Sequence, residues 1–237
     1  MSFADNPYEA PRFDFAAQAA VNERAGFIAK TYLHLTGAIL AFIAIEAALL
    51  QSPLPERMMA LLAGSPYSWL IVLGGFMVVS WLAHAWASSD TSVPMQYLGL
   101  SLYVVAQAFI FVPLLYIANK TQPGVIAEAA LATLLLFGGM TAVVFITRKD
   151  FSFMRGFLMF AGFAAIAFII GSIVTGFSLG WMFSVAMIVF ACGYILYDTS
   201  NVLHHYRIGQ HVAAALALFA SVALLFWYVL QLFMSRE

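Results

Sequence analysis

Three acidic side chains lie inside or at the edge of long apolar stretches. They are Glu46, Glu128 and Asp198, whereas most of the chain's 11 acids fall in the polar tail or in connecting segments. A carboxylate at membrane depth costs about 3 kcal/mol on insertion scales. Residues kept at such a cost bind protons or cations, or they join helices through hydrogen bonds. These three residues are therefore the first candidates for chemistry.

An enzymatic role would need groups that the sequence does not contain. There is no G-x-S-x-G nucleophile turn, no H-E-x-x-H zinc motif, no phosphate-binding loop and no EF-hand. An intramembrane aspartyl protease needs two aspartates at membrane depth, and Asp198 stands alone after Tyr197. We therefore expect a protein that is not an enzyme and that needs no cofactor.

The cysteine and histidine residues do not predict a metal site. Cys192 is the single cysteine, so an intrachain disulfide and a cysteine-based metal site are excluded, and a small core residue is expected. His204, His205 and His211 belong to the last polar connection. Adjacent histidines on a helix point in different directions, so we expect interfacial residues that titrate near neutrality and tune a pH response.

The composition is that of a membrane protein. The 237 residues are 64% hydrophobic and only 9% charged, whereas a soluble domain is about 25% charged. The net charge of −1 provides no basic field for nucleic acid. We therefore expect an all-α integral membrane protein whose main surroundings are the lipid bilayer.

Seven apolar stretches are long enough to cross a bilayer, which takes about 20 residues. They are Tyr32–Leu50, Trp69–Trp86, Leu98–Tyr116, Ala127–Thr147, Met154–Val174, Trp181–Leu203 and Ala213–Phe233. The connections between them are short and carry turn residues, so consecutive helices are expected to be antiparallel neighbours. The stretches do not alternate as the strands of a membrane barrel do.

The first 26 residues form a polar segment without the apolar run of a signal peptide. We expect a cytoplasmic tail over residues 1–26 and a transmembrane domain over residues 27–237. If the N-terminus is in the cytoplasm and the C-terminus outside, seven basic residues fall inside and three outside. We expect this orientation, because cytoplasmic segments of membrane proteins carry an excess of Lys and Arg. The inner residues are Arg12, Arg24, Lys30, Arg148, Lys149, Arg155 and Arg207, and the outer ones are Arg57, Lys120 and Arg236.

This orientation predicts where the polar groups lie. Glu46 and Glu128 fall toward the outer side, as an acidic outer vestibule, while Asp198 and His84 fall near the cytoplasmic ends of their helices, where they could meet. Such a layout suits a cation path with an inner gate. Structural alternatives stay open: Glu128 as a carboxylate at a helix N-terminus, Glu46 reaching the outer interface, His84 as an interfacial residue, and Asp198 as a hydrogen-bonding hub between helices.

Two motifs resemble the Bax inhibitor-1/YccA family. The stretch T-R-K-D-F-S-F-M (Thr147–Met154) is similar to that family's loop after the fourth helix, and G-Y-I-L-Y-D-T-S-N-V (Gly193–Val202) to its signature at the end of the sixth. The entry into the first helix, Ala29–Ala38, is also similar, and the resemblance covers residues 24 to 234. It implies a seven-helix bundle in which the last helix is surrounded by the other six.

The resemblance also implies a gate. In the family, the aspartate that matches Asp198 pairs with a second aspartate on the last helix and works with a basic residue near the end of the second helix to close a pH-dependent Ca²⁺ leak. His84 matches the basic residue here. Ser221 stands where the second aspartate would be, and no other acid occurs in that helix. Asp198, His84 and Ser221 are therefore the expected gate and pH sensor.

Two functions remain open at this point. The first is a pH-sensitive leak for Ca²⁺ or H⁺. The second follows from the YccA-like branch, which shares the T-S-N sequence and a serine on the last helix: a non-enzymatic modulator of a membrane-anchored ATP-dependent protease of the FtsH type, with the N-terminal tail as its handle. The resemblance places the protein in a bacterial inner (plasma) membrane.

Overall fold

The computed structural model describes residues 15–65, 67–89 and 92–235. This part of the chain forms eight α-helices and a short 3₁₀ helix, Ser152–Met154, before α6. Seven of the helices are long and apolar enough to cross a membrane, so the expected all-α membrane fold is confirmed. The helices are α1 Val21–Leu50, α2 Leu54–Ala63, α3 Ser68–Ala87, α4 Val93–Thr121, α5 Val125–Thr147, α6 Arg155–Thr175, α7 Trp181–His204 and α8 His211–Met234.

The first and second helices depart from the sequence prediction. Helix α1 begins at Val21 rather than Tyr32, because polar residues such as Glu23 continue the helix although they do not count toward an apolar span. The segment predicted as a connection, Gln51–Pro66, contains α2. At ten residues α2 is roughly 15 Å long, which is about half of a hydrocarbon core. The prediction of a plain connection there was wrong.

Helix α8 lies at the centre of the bundle. It packs against α1, α3, α4, α5 and α7, while α6 packs mainly on α7. Its large apolar side chains, including Leu216, Leu218, Leu225 and Leu230, are fully buried. A helix that is apolar on every side is suited to this position, because each face meets another helix and not water.

Helices α3 and α4 approach each other closely at Gly99. A Cβ atom at Gly99 would lie 2.5 Å from the carbonyl oxygen of Ala83 and 2.5 Å from the backbone nitrogen of Ala87. The contact is therefore backbone against backbone, which only small residues permit.

The chain ahead of α1 is tied to the connection between α7 and α8. Phe15 forms an isolated β-bridge with Arg207, and the backbone N–H of Ala16 donates to the carbonyl oxygen of Tyr206 at 2.9 Å. Ala16 is fully buried. Residues 1–14 of the expected polar tail, with Arg12, and the basic residue Arg236 lie outside the described residues.

Candidate functional site

Asp198 and Ser221 form a buried pair between α7 and α8. Asp198 is 7% exposed and Ser221 is 4% exposed. The Ser221 hydroxyl donates a hydrogen bond to Asp198 Oδ2 at 2.5 Å. Within the described residues this is the one hydrogen bond to the Asp198 carboxylate. The hydroxyl thus occupies the place where the resemblance expects a second carboxylate.

Two tyrosines, Tyr103 and Tyr206, lie within electrostatic range of Asp198. Tyr103, on α4, is buried. Burial raises the pKa of Tyr206, which lies after the end of α7, and the negative charge of Asp198 raises that pKa further.

His84 does not meet Asp198. It is exposed at the end of α3, and its Nδ1 lies 2.8 Å from the carbonyl oxygen of Ser80 in its own helix. Its ring packs edge-on against Tyr103, with ring centroids 5.3 Å apart. Within the described residues no contact joins His84 to Asp198, although the sequence allowed the two to meet; the Tyr103 ring on which His84 packs also packs on Phe219, with ring centroids 6.1 Å apart.

Glu46 is a second buried carboxylate. It lies on α1 and is 4% exposed, and neither carboxylate oxygen has a hydrogen-bond partner within the described residues. Phe42, one turn earlier, packs on Phe111 and Phe219 with ring centroids 5.2 and 6.0 Å apart. The side chain therefore points into the bundle, and the alternative that it reaches the outer interface was wrong.

Glu128 is placed differently. It is exposed in the first turn of α5, after Gly124, whose φ of 95° starts that helix from a left-handed conformation. This position matches the alternative of a carboxylate that is stabilised by a helix N-terminus. No contact joins it to Glu46 in the part of the chain that the structure describes, so the two acids do not form one cluster.

Three further buried hydroxyl groups lie on three different helices. They belong to Tyr32 on α1, Thr141 on α5 and Thr199 on α7, next to Asp198 in the chain. Each lacks a hydrogen-bond partner of good geometry within the described residues, although the Tyr32 hydroxyl is close to both threonines. Together with Asp198 and Ser221 they make this depth of the bundle unusually polar.

The two sequence motifs meet in a cluster that we call the Asp150 clasp, formed by Asp150, Ser200 and His205. His205 Nε2 lies 2.9 Å from Asp150 Oδ2, and the Ser200 hydroxyl donates to Asp150 Oδ1 at 3.3 Å. The Ser200 oxygen in turn accepts from the backbone N–H of Phe151 at 2.8 Å. The clasp therefore fastens the α5–α6 connection to the end of α7.

The electrostatics of the clasp favour an ionised Asp150. Slight burial raises its pKa, but the hydrogen bond from the Ser152 backbone N–H and the interaction with His205 outweigh that effect and lower the pKa to about 2. Sequence reasoning missed the clasp. The sequence did contain a signal for it. Both motifs carry short polar side chains at helix ends, and the predicted topology puts these ends on the same side of the membrane.

The three histidines of the last connection make different contacts, although the His204 and His205 rings lie edge to face with centroids 6.2 Å apart. His205 belongs to the clasp, His204 Nε2 is buried without a hydrogen-bond partner, and His211 packs on His34 of α1. In the described ranges, no group of three or more histidine, cysteine, aspartate or glutamate residues could hold a metal ion.

The family model described as "Inhibitor of apoptosis-promoting Bax1" matches residues 24–237. The chain is 27% identical to Uncharacterized protein PA2604 of Pseudomonas aeruginosa, over 92% of this chain and 93% of that protein. It is 27% identical to Protein LIFEGUARD 4 of Arabidopsis thaliana, over 90% of this chain and 86% of that protein.

A third relative, Bax inhibitor 1 of Schizosaccharomyces pombe, is 34% identical over 46% of this chain and 41% of its own length. No solved structure matches the chain significantly. The family model spans all seven apolar helices, including the Asp150 clasp and the Asp198–Ser221 pair. The chain therefore belongs to the Bax inhibitor-1 family of membrane proteins.

Proposed function

We propose that the protein is a pH-sensitive cation leak, which lets Ca²⁺ or H⁺ pass down a gradient under the control of Asp198. The observation that carries this proposal is the presence of two buried carboxylates in a membrane bundle. Asp198 has a single hydrogen bond and Glu46 has none within the described residues.

A buried carboxylate without a partner is unstable as an anion, because the low-dielectric interior does not replace its hydration. It is neutralised by taking up a proton or by binding a cation. Glu46 on α1, without a hydrogen-bond partner in the part of the chain that the structure describes, and Asp198 on α7, with one hydrogen bond, both lie on helices packed against the central α8. Such groups are suited to a path for protons or cations. Groups kept only for structure would be expected to have complete hydrogen bonding.

The arrangement also fits a closed state. Phe42 lies one turn from Glu46 and packs on Phe219, which is two residues from Ser221 on α8. Aromatic rings therefore occupy the region between the two carboxylates. In this proposal conduction requires α1 and α8 to separate enough for water to enter, and protonation of Asp198 shifts the balance between the two states.

The test is flux of Ca²⁺ and H⁺ into liposomes that hold the purified protein, at pH values from about 6 to 8, where buried acids and histidines titrate. We expect the parent to conduct and Asp198→Asn to change the flux or its pH dependence. Ser221→Asp should shift the pH response, because two adjacent carboxylates share a proton. Identical flux in parent and Asp198→Asn at every pH would overturn the proposal.

A matched control is available on the same two helices. The Ser184 hydroxyl on α7 bonds the Gln231 side chain on α8 at 3.3 Å, so Ser184→Ala removes a comparable link away from Asp198. We expect Ser184→Ala to keep the parental pH dependence and Ser221→Ala to change it. Equal effects of the two substitutions would indicate that packing, and not Asp198, controls the flux.

We place the protein in an inner (plasma) membrane with the N-terminus cytoplasmic and the C-terminus outside. The Asp150 clasp brings the α5–α6 connection, with Arg148 and Lys149, to the α7–α8 connection, with Arg207. A shared basic surface of this kind supports the cytoplasmic assignment of that side of the bundle.

Regulation of a membrane-anchored ATP-dependent protease is a second candidate function. One observation favours it: Phe15 and Ala16 fix the chain to the α7–α8 connection, so the N-terminal tail joins the bundle at the side that we assign to the cytoplasm.

Deletion of residues 2–14 should remove co-purification with the protease and leave thermal stability unchanged. Co-purification that survives this deletion would contradict a role for the tail. A Gly/Ser tail of the same length is the control, and it should fail to restore co-purification if the tail sequence is what the protease binds.

A further inference from the structure

Three helices meet at a pair of histidines on the side of the bundle that holds the α7–α8 connection. His34 lies on α1, His211 is the first residue of α8, and Tyr97 lies near the start of α4. The ring centroids of His34 and His211 are 4.8 Å apart. His34 Nε2 lies 2.9 Å from the Tyr97 hydroxyl. The pair therefore links the central helix to two of its neighbours.

The hydrogen bonds of His34 define the tautomer of its neutral ring. Its Nδ1 lies 2.7 Å from the carbonyl oxygen of Lys30. A carbonyl oxygen only accepts, so Nδ1–H is the donor, and Nε2 is left to accept from the Tyr97 hydroxyl. Protonation of His34 would place a hydrogen on Nε2 as well, and the Tyr97 hydroxyl would have to turn before it could accept.

The surroundings oppose a second positive charge. A cavity of about 300 Å³ lies between the start of α8 and the first turns of α1, and His211, Lys30 and Glu23 line it. Lys30 is a cation at neutral pH, and Glu23 is the one acid among the lining residues. Two imidazolium rings in contact, next to Lys30, repel each other, and the opposing carboxylate of the exposed Glu23 only partly offsets that repulsion.

We propose that His34 and His211 form a proton-binding site that loosens the joint between α1 and α8 when both rings are protonated. Histidine is the side chain whose charge changes between about pH 5 and 8, so a histidine pair is suited to respond to mild acidification. The cavity gives protons access from the aqueous side. This proton response of the joint stands without the leak, whereas its use as a gate for cations rests on the proposed function.

The first experiment follows thermal stability from about pH 8 to pH 5.5, a range centred on ordinary histidine titration, with the full chain in lipid nanodiscs. We expect the melting temperature of the parent to fall on acidification. His34→Gln and His211→Gln should each flatten the fall, because glutamine keeps polar contacts without taking up a proton. Thr36→Ala is the matched control on the same helix, since the Thr36 hydroxyl does not titrate and donates to the carbonyl oxygen of Tyr32 at 2.9 Å. A parental slope in both His34→Gln and His211→Gln would overturn the proposal.

Two further substitutions test whether positive charge at this site lowers the stability of the joint between α1 and α8. His211→Lys fixes a positive charge beside His34, so the protonation of His34 alone should then lower the melting temperature on acidification, whereas His211→Gln, which carries no such charge, should remove that fall. Lys30→Met removes a neighbouring cation, so protonation becomes easier and the midpoint of the pH response should move to higher pH. A midpoint that stays or moves to lower pH in Lys30→Met would contradict the proposed proton site.

Flux measurements on the same proteins separate this inference from the leak. If the parent conducts no cations, the leak proposal fails, and the melting curves still decide whether the histidine pair binds protons. If the parent conducts and the His34→Gln and His211→Gln proteins lose pH-dependent flux together with the pH-dependent melting, the pair is the regulator. Persistence of pH-dependent flux in both proteins would overturn the gating role.

Discussion

Ser221 changes the chemistry that Asp198 can perform. Two adjacent carboxylates titrate as a coupled pair, whereas a carboxylate that accepts one hydroxyl hydrogen bond takes up a single proton by itself. The positions of both residues could be predicted, because the motif around Asp198 and the serine on the last helix are visible in the sequence. The bond of 2.5 Å between them shows that the two positions do face each other.

The Asp150 clasp leads to a pH prediction for one residue. The folded pKa of Asp150, about 2, lies below the ordinary value of about 3.9. Its contribution to stability is therefore present above pH 4 and lost as the pH falls toward 2. Because both side chains of the pair are partly exposed, we expect a contribution of at most about 1 kcal/mol.

The measurement is the difference in melting temperature between the parent and Asp150→Asn. This difference should be positive at pH 5 and should shrink toward zero near pH 2.5, where Asp150 begins to be protonated in the folded state as well. A difference that stays constant over this range would mean that the asparagine acts through packing and not through the lost charge.

At the scale of helices, the close approach of α3 and α4 gives a strong prediction. Gly99→Ala places a Cβ atom 2.5 Å from backbone atoms of Ala83 and Ala87, so the two helices must move apart. Overpacking of this kind costs about 1–3 kcal/mol, and more where the backbone itself must shift. We expect a fall of several degrees in melting temperature.

Gly75→Ala on α3 is the control for that substitution, because a Cβ atom there meets nothing within 4 Å. Alanine favours a helix over glycine by about 1 kcal/mol, so Gly75→Ala should leave the melting temperature unchanged or raise it. Equal losses from the two substitutions would show that the α3–α4 contact does not set the response.

Five of the seven apolar spans could be predicted to within two residues at each end, because a helix of about 20 apolar residues matches the thickness of the hydrocarbon core. Helix α4 extends five residues beyond its predicted span at each end. Helix α2 could not be predicted, because its ten residues lie among prolines and are too few to span a membrane. The start of α1 was missed because the segment from Phe15 to Arg24 carries polar residues. The conformation of this segment depends on contact with the α7–α8 connection, which the local sequence does not show.

For the molecule as a whole, the orientation is the property that an experiment can decide at once. In a Cys192→Ala background, Lys149→Cys and Lys120→Cys place single exposed thiols at opposite ends of the bundle. With the proposed orientation, a membrane-impermeant maleimide should label Lys120→Cys in intact cells and Lys149→Cys only in inside-out vesicles. The reverse pattern would place the N-terminus outside.

The contacts between distant segments were the part of the site that sequence could not predict. Asp150 and His205 are 55 residues apart, and Ser221 lies 23 residues from Asp198. The second contact could be expected from the family motif, whereas the first had no such guide. His84 shows the converse: its depth could be predicted from the topology, but the direction of its ring depends on the packing of Tyr103.

The central position of α8 has a consequence for how the protein is made. During translation α8 follows the other six spanning helices out of the ribosome, yet it packs on five of them. Until it enters the membrane, the buried faces of those helices have no partner at the centre, and the Asp198 carboxylate has no hydroxyl from Ser221. Assembly is therefore completed in one late step, and a chain that stalls before His211 exposes its unfinished interior to the quality-control machinery of the membrane.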